Sequence, residues 1–226
     1  MNDVPLLFAE SVARLFDYCS LSSLRGSRSS LFGNVSRSLW EKRLDVILNV
    51  VYNQAAGTFD YCMTCTRDYE SFSPYTFNPA DLRFVFEFKV NLLRNKRSLD
   101  DMDVDVTWTT ATQSDPTFLK LLTAPYSRTE LCPDVKCRKL LQMLPDYCTF
   151  NYITAYDYND VLDAIIQRSQ ACGRLERVYC AEFFKKRGME ASIEWIATNK
   201  RLRSISSYLV ENPESARSVL NTIGVQ

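Results

Sequence analysis

The sequence predicts a mixed α+β / α/β chain, and three observations predict it. Apolar residues in the first forty positions recur at helical spacing, the period then switches to two, and beyond residue 113 short apolar segments return at even intervals between amphipathic helices. These patterns divide the 226 residues into a three-helix module over 1–43, an antiparallel strand segment over 44–113 and a run of strand–helix units over 114–226. A chain of this length buries roughly 70–75% of the surface its unfolded form exposes, so a substantial core is expected. With 46% hydrophobic and 24% charged residues, the composition is that of a globular protein rather than a disordered chain or a fibre.

In the first region Phe8, Val12, Leu15 and Phe16 form one helical stripe, with Pro5 at the helix start, where its missing N–H costs nothing. The stretch "SLSSLR", with Leu21 and Leu24, reads as a short second helix opened by a serine cap. A third helix carries Leu31, Val35, Leu39 and Trp40. Three short helices hold too little core to be stable alone, so the module is expected to complete its burial against a neighbour. Leu6 and Leu7, off the main stripe beside Pro5, are the residues expected to stay uncovered by the chain itself.

The second region opens with "DVILNVVYN" and "TFDYCMTCT" around Gln54-Ala55-Ala56-Gly57, a turn-length gap that predicts a hairpin. In "LRFVFEFKVNLL", Phe84, Phe86, Phe88, Val90 and Leu92 share one face of a half-buried strand, with Arg83, Glu87, Lys89 and Asn91 opposite. Val104, Val106 and Trp108 repeat the alternation in "VDVTWT", and the whole predicts an antiparallel meander. "ESFSPYTFNPADL" reads as an irregular loop, and "LLRNKRSLDDMD" as a charged, exposed connection.

In the third region "DVLDAIIQRSQAC" places Val161, Leu162, Ile165, Ile166, Ser169 and Cys172 on one helical stripe, and Met189, Ile193 and Ile196 do the same further on. The segments "FNYITAY", "LERVYCAEF" and "LRSISSYLV" align with Phe150, Ile153, Ala155 over Leu175, Val178, Cys180 and over Leu202, Ile205, Ser207. Their starts are 25 and 27 residues apart, and the shared form L-x-x-L-x-L resembles a short leucine-rich repeat, whose period is about 20–29 residues. Such units bury their apolar sides by stacking and leave a sheet face exposed. An ordinary α/β arrangement with evenly spaced strands is the other reading of the same spacing. "DPTFLKLLTAPYS" and "CPDVKCRKLLQMLPDYC" read as further helix-bearing units.

Chemistry is constrained by what is missing. The sequence contains no histidine, which excludes Ser-His-Asp and Cys-His arrangements and histidine-bearing zinc motifs. None of its six glycines is spaced as a phosphate-cradling loop. Lys plus Arg equals Asp plus Glu, 27 each, so the chain lacks the basic field that captures nucleic acid, and "FKKRG" and "NKRLR" read as helix-end charges. No run reaches the roughly 18 apolar residues of a membrane helix, and the N-terminus has no signal-peptide pattern, so a cytoplasmic or nuclear location is expected. There the eight cysteines are expected to be reduced. Cys62-x-x-Cys65, with Cys132 and Cys137, offers a zinc or redox alternative, but the pattern around Cys62 fits a strand rather than a metal turn. Asp100, Asp101, Asp103 and Asp105 read as a solvated charge run, and neither a metal nor a cofactor is expected.

The opening module resembles a divergent F-box of the large adaptor families of nematodes. The likeness rests on Val4-Pro5 with Phe8, Val12, Leu15 and Phe16, on "SLSSLR", and on the serine-rich "SSLFGNVSRSLWEKR" with its closing tryptophan. It implies docking on the small adaptor that links such proteins to a cullin ubiquitin ligase, through Val4, Pro5, Leu6, Leu7, Phe8, Val12, Leu21 and Leu24, while the downstream part recruits a protein substrate. The function expected is recruitment, not catalysis. Among the twelve tyrosines, Tyr152, Tyr156, Tyr158, Tyr179 and Tyr208 fall on or beside the repeat strands, either facing out or packed beneath. Tyr156, Tyr179 and Tyr208 are the expected substrate contacts. A scaffold of the same architecture with no ligase role is the alternative.

Overall fold

The structure, a computed structural model, describes residues 12–13, 23–24, 31–66, 71–97, 99, 104–124, 126, 128–133, 138–180, 182–183, 187–188, 191, 194–195 and 204–206. Of the first two expected helices, Val12, Ala13, Ser23 and Leu24 are helical, and the rest lies outside the described residues. The third is present as α1 (Leu31–Lys42), which buries Val35, Ser36 and Leu39 on one face. That face joins Ala13 and Phe86 in a small cluster of its own, ringed by Leu31, Phe32, Trp40 and Phe84. The helical segment is thereby anchored on the first residues of a sheet strand.

The hairpin forms as read. β1 (Leu44–Asn53) and β2 (Thr58–Thr66) pair antiparallel from Asn53 opposite Thr58 to Asp45 opposite Thr66. Gly57 closes the turn at φ +66°, a left-handed backbone that suits glycine, and donates its N–H to the Asn53 carbonyl at 3.0 Å.

The expected meander ends there. β4 (Val85–Leu93) pairs with β1 in parallel, not with β2. Between them, a two-residue strand β3 (Ser73–Pro74) on the edge of β2 and a 3-10 helix (Pro79–Phe84), capped by Asn78 Oδ1 on the Ala80 N–H, precede the start of β4. Period-two alternation reports which face a residue occupies and carries no information on strand direction, which the connection decides. The alternation holds from Phe88 on: Phe88, Val90 and Leu92 share the core face, whereas a bulge puts Val85 in that core and Phe84 and Phe86 in the cluster with α1. Phe86 is the extra residue of this bulge, since Leu44 pairs with Val85 and Asp45 with Glu87. "VDVTWT" is not a strand. The ladder begins only at β5 (Thr109–Ala111), antiparallel to β2, although Val104, Val106 and Trp108 still alternate in burial with exposed Asp105 and Thr107.

With β5 set aside on β2, the strands that follow β4 are each parallel to the one before and lie beside it: β6 (Arg128–Pro133), β7 (Tyr152–Ala155), β8 (Arg177–Cys180) and β9 (Ser204–Ser206). One row runs through Leu48, Val90, Leu131, Ile153, Val178 and Ile205. The alignment of the three apolar segments is therefore their spatial register. Helices α2 (Pro116–Thr123), α3 (Arg138–Met143) and α4 (Asp160–Ala171) lie in the connections. Asp115 caps α2 and Asn159 caps α4 through side-chain oxygens on backbone N–H groups.

These helices share a single core with one face of the sheet. Phe118 of α2 packs on Phe59 and Tyr61, at centroid distances of 4.3 and 5.5 Å, and Tyr126 stacks on Phe88 at 4.0 Å. Leu140 and Leu141 of α3 and Leu162, Ile165 and Ile166 of α4 complete the layer with Leu131, Ile153 and Val178. Cys172, expected on the α4 stripe, is exposed, because the helix ends at Ala171 and Cys172 only caps it. Met189, Ile193 and Ile196 lie outside the described residues, whereas Trp195 between them is buried against Phe183.

Two polar side chains inside this layer hold strand starts together. Asn151 Oδ1 accepts from the Thr129 N–H at 3.0 Å, and Asn151 Nδ2 donates to the Arg174 carbonyl at 3.2 Å, so one amide ties β6, β7 and the approach to β8. Ser169 Oγ donates to the Ile165 carbonyl at 2.7 Å and accepts from the Phe150 N–H at 3.0 Å. Among the described residues, no helix is long and apolar enough to cross a membrane.

Candidate functional site: the outward face of the parallel strands

Alternate residues of each parallel strand point away from the helices. They are Glu87, Lys89 and Asn91 on β4, Arg128, Glu130 and Cys132 on β6, Tyr152 and Thr154 on β7, and Arg177 and Tyr179 on β8. In the strands the x positions of L-x-x-L-x-L are these outward positions.

Toward the hairpin this face is covered. Asn49, Cys62, Thr64 and Asp60 are buried there. Asp60 accepts a 2.5 Å hydrogen bond from Thr110 Oγ1 and lies 3.0 Å from Lys96 Nζ, and the same ammonium sits 5.3 Å from the Trp108 ring centroid. Lys96 belongs to the connection from β4 to β5 and Thr110 to β5 itself, so this segment is latched onto β2. The Thr110 hydrogen bond holds the Asp60 carboxyl below its usual range against the opposing effect of burial, with Lys96 adding to the lowering.

Over β6, β7 and β8 the face opens into a cavity of about 420 Å³. Glu130 is its hub. Thr154 Oγ1 and Cys132 Sγ each donate to Glu130 Oε1 at 3.1 Å, and Lys89 Nζ lies 3.6 Å from Oε2. Burial first, and then the Glu130 charge, push the Cys132 thiol up to about 12. Beside this hub, Arg128 and Arg177 both lie over the ring of Tyr152, at 4.8 and 5.4 Å from its centroid. The Tyr152 hydroxyl donates to Glu176 Oε2 at 3.3 Å, and burial is the main reason its pKa is raised. Glu87 pairs with Arg128 across the ladder and closes the lining on the β4 side.

The expected contacts divide unevenly. Tyr179 is half-buried and lines the cavity. Tyr156 is 64% exposed but lies just past the end of β7 and outside the lining, and Tyr208 is outside the described residues. Tyr158 packs beneath the sheet, edge-on to Phe183 at 5.3 Å with its hydroxyl on Asp163. Of the expected docking residues, Val12 and Leu24 are helical and half-buried, while Val4, Pro5, Leu6, Leu7, Phe8 and Leu21 lie outside the described residues.

Residues 128 and 177 went unnoticed in the sequence because an arginine at an outward strand position is indistinguishable from a solubilising charge until its neighbours are known. The visible clue was that Tyr152 and Arg177 occupy x positions of adjacent units.

The cysteine alternative meets a geometric obstacle. Cys62 and Cys65 lie three apart on β2, so their side chains leave opposite faces of the sheet. Burial pushes the Cys62 thiol up to about 11, away from a neutral-pH thiolate. Among the described residues, no three His, Cys, Asp or Glu side chains converge as metal ligands. Arg187 of "FKKRG" is engaged internally, 2.6 Å from Asp163, and "NKRLR" lies outside the described residues. Compared with protein-family models, with characterised proteins and with solved structures, the chain matches none.

Proposed function

We propose that this chain is a non-enzymatic recruiting adaptor of a cullin-type ubiquitin ligase. In this reading the leading helical segment docks on the ligase's small linking adaptor through Val4, Pro5, Leu6, Leu7, Phe8, Val12, Leu21 and Leu24. The outward face of the parallel strands holds a protein substrate. The observation that carries the recruiting half is the outward sheet face: among the described residues, successive parallel strands place charged and aromatic side chains along one groove. The unit lengths and the shared register support a leucine-rich-repeat-like stack for the C-terminal part. The ligase half rests on the F-box resemblance.

The polar groups of the groove suit recognition better than catalysis. Glu130 is occupied by three partners, and the Cys132 thiol is held in its neutral form. A scaffold without a ligase role shares the groove and differs only in what the helical segment binds. The two are separated by calorimetry with the purified linking adaptor. Micromolar or tighter binding that is lost in Pro5→Ala and Leu7→Asp, with circular dichroism unchanged, is the expected result. Absence of binding by the folded wild-type chain removes the ligase role and leaves the scaffold.

A further inference from the structure

The Arg128–Tyr152–Arg177 arrangement is more specific than a general contact surface. Three adjacent strands contribute one residue each, and both guanidinium groups lie over the same phenol ring, at 4.8 and 5.4 Å from its centroid. A cation–π contact of this kind holds an arginine in place while its N–H groups can still bond a carboxylate. Neither group has a carboxylate within ion-pair distance among the described residues. Of the carboxylates around them, Glu130 is engaged by Lys89, Thr154 and Cys132 and Glu176 by the Tyr152 hydroxyl, while Glu87 stands opposite Arg128 in the ladder without an ion pair to it. Two like charges thus line one cavity beside one ring, with no ion pair to either among the described residues.

We infer that the groove reads an acidic side chain of an extended peptide segment, its carboxylate bridging Arg128 and Arg177 above Tyr152. This rests on the recruiting reading of the same face and names its substrate class. Glu87 and Glu130 in the lining favour a singly charged carboxylate over a phosphate, because a doubly charged group meets more repulsion from them.

The test is fluorescence anisotropy of the full chain with a labelled peptide alternating Glu with Gly and Ser, beside its Gln counterpart and a phosphoserine counterpart. The Glu peptide is expected to bind at least about tenfold more tightly than the Gln peptide. That preference disappears in Arg128→Gln and in Arg177→Gln, and binding weakens with salt. Equal binding of the Glu and Gln peptides, no binding of either, or binding of the phosphoserine peptide alone overturns the inference. Calorimetry of the wild-type chain with the linking adaptor, beside its peptide titrations, keeps the two ideas apart. Docking without acidic-peptide recognition sinks this inference only, whereas acidic-peptide recognition without docking sinks the ligase role only. If Arg177→Gln misfolds by circular dichroism, Arg177→Lys serves instead: it keeps the charge but not the planar fork, and is expected to lose most of the preference.

Discussion

Asn151 offers the sharpest test of how the parallel strands are held. It is 8% exposed, and its amide reaches two backbone groups on neighbouring segments, the Thr129 N–H and the Arg174 carbonyl. Asn151→Ala removes both partners without replacing them. A buried backbone group left without a partner costs about 1–3 kcal/mol, and Thr129 is itself buried. The longer contacts to Arg174 Nη2 at 3.3 Å and Glu176 Oε1 at 3.4 Å add little, since they are poor in geometry. The expected loss is about 2–4 kcal/mol, a large share of a typical domain's 5–15 kcal/mol or so. With an m-value of about 2–3 kcal/mol/M in urea, the midpoint falls by roughly 1 M at unchanged slope. Thr129→Val is the control: it removes a hydroxyl that also bonds Asn151, yet keeps the N–H bond, and is expected to cost less. A loss below about 1 kcal/mol in Asn151→Ala would refute the idea that one side chain stitches these strands.

Two further outcomes follow from the covered end of the sheet. The Asp60 carboxyl titrates below its unfolded value near 3.9 or so, so it adds stability above that value and loses it as pH falls through the folded one. The gap in urea midpoint between wild type and Asp60→Asn is therefore expected to be full at pH 7 and to shrink below about pH 4; a gap constant with pH contradicts the latch. Iodoacetamide at pH 8 or so is expected to label exposed Cys172 in the native chain but Cys62 only after unfolding, read by peptide mass mapping, and equal labelling rates would place Cys62 outside the core.

How far the sequence could be read depended on what each pattern encodes. The hairpin was legible because its turn contains a glycine at the position that needs a left-handed backbone, and because its two strands are contiguous. The core face of β4 was legible from Phe88 to Leu92, where burial alternates, but not at Phe84 and Phe86, because the bulge beside Val85 breaks the period. The row Ile153, Val178, Ile205 was legible because equal spacing between like segments is a spatial register written along the chain. Strand direction at β4 was not legible, since the connection through Pro79–Phe84 makes no hydrophobic period. β5 was misplaced because apolar alternation in "VDVTWT" reflects packing of Trp108 and its neighbours, whereas the backbone ladder starts at Thr109. Tyr152 could be placed on a strand, but its role depends on Arg128 and Arg177, 24 and 25 residues away in the chain, and no local pattern joins them.

From β4 onward each new parallel strand settles beside the one that precedes it. A nascent chain leaving the ribosome thus always presents a finished template for the residues that emerge next, and assembly can advance in the direction of synthesis without waiting for the C-terminus. The same growth rule lets one more unit be appended by duplication, widening the sheet while leaving the founding hairpin untouched.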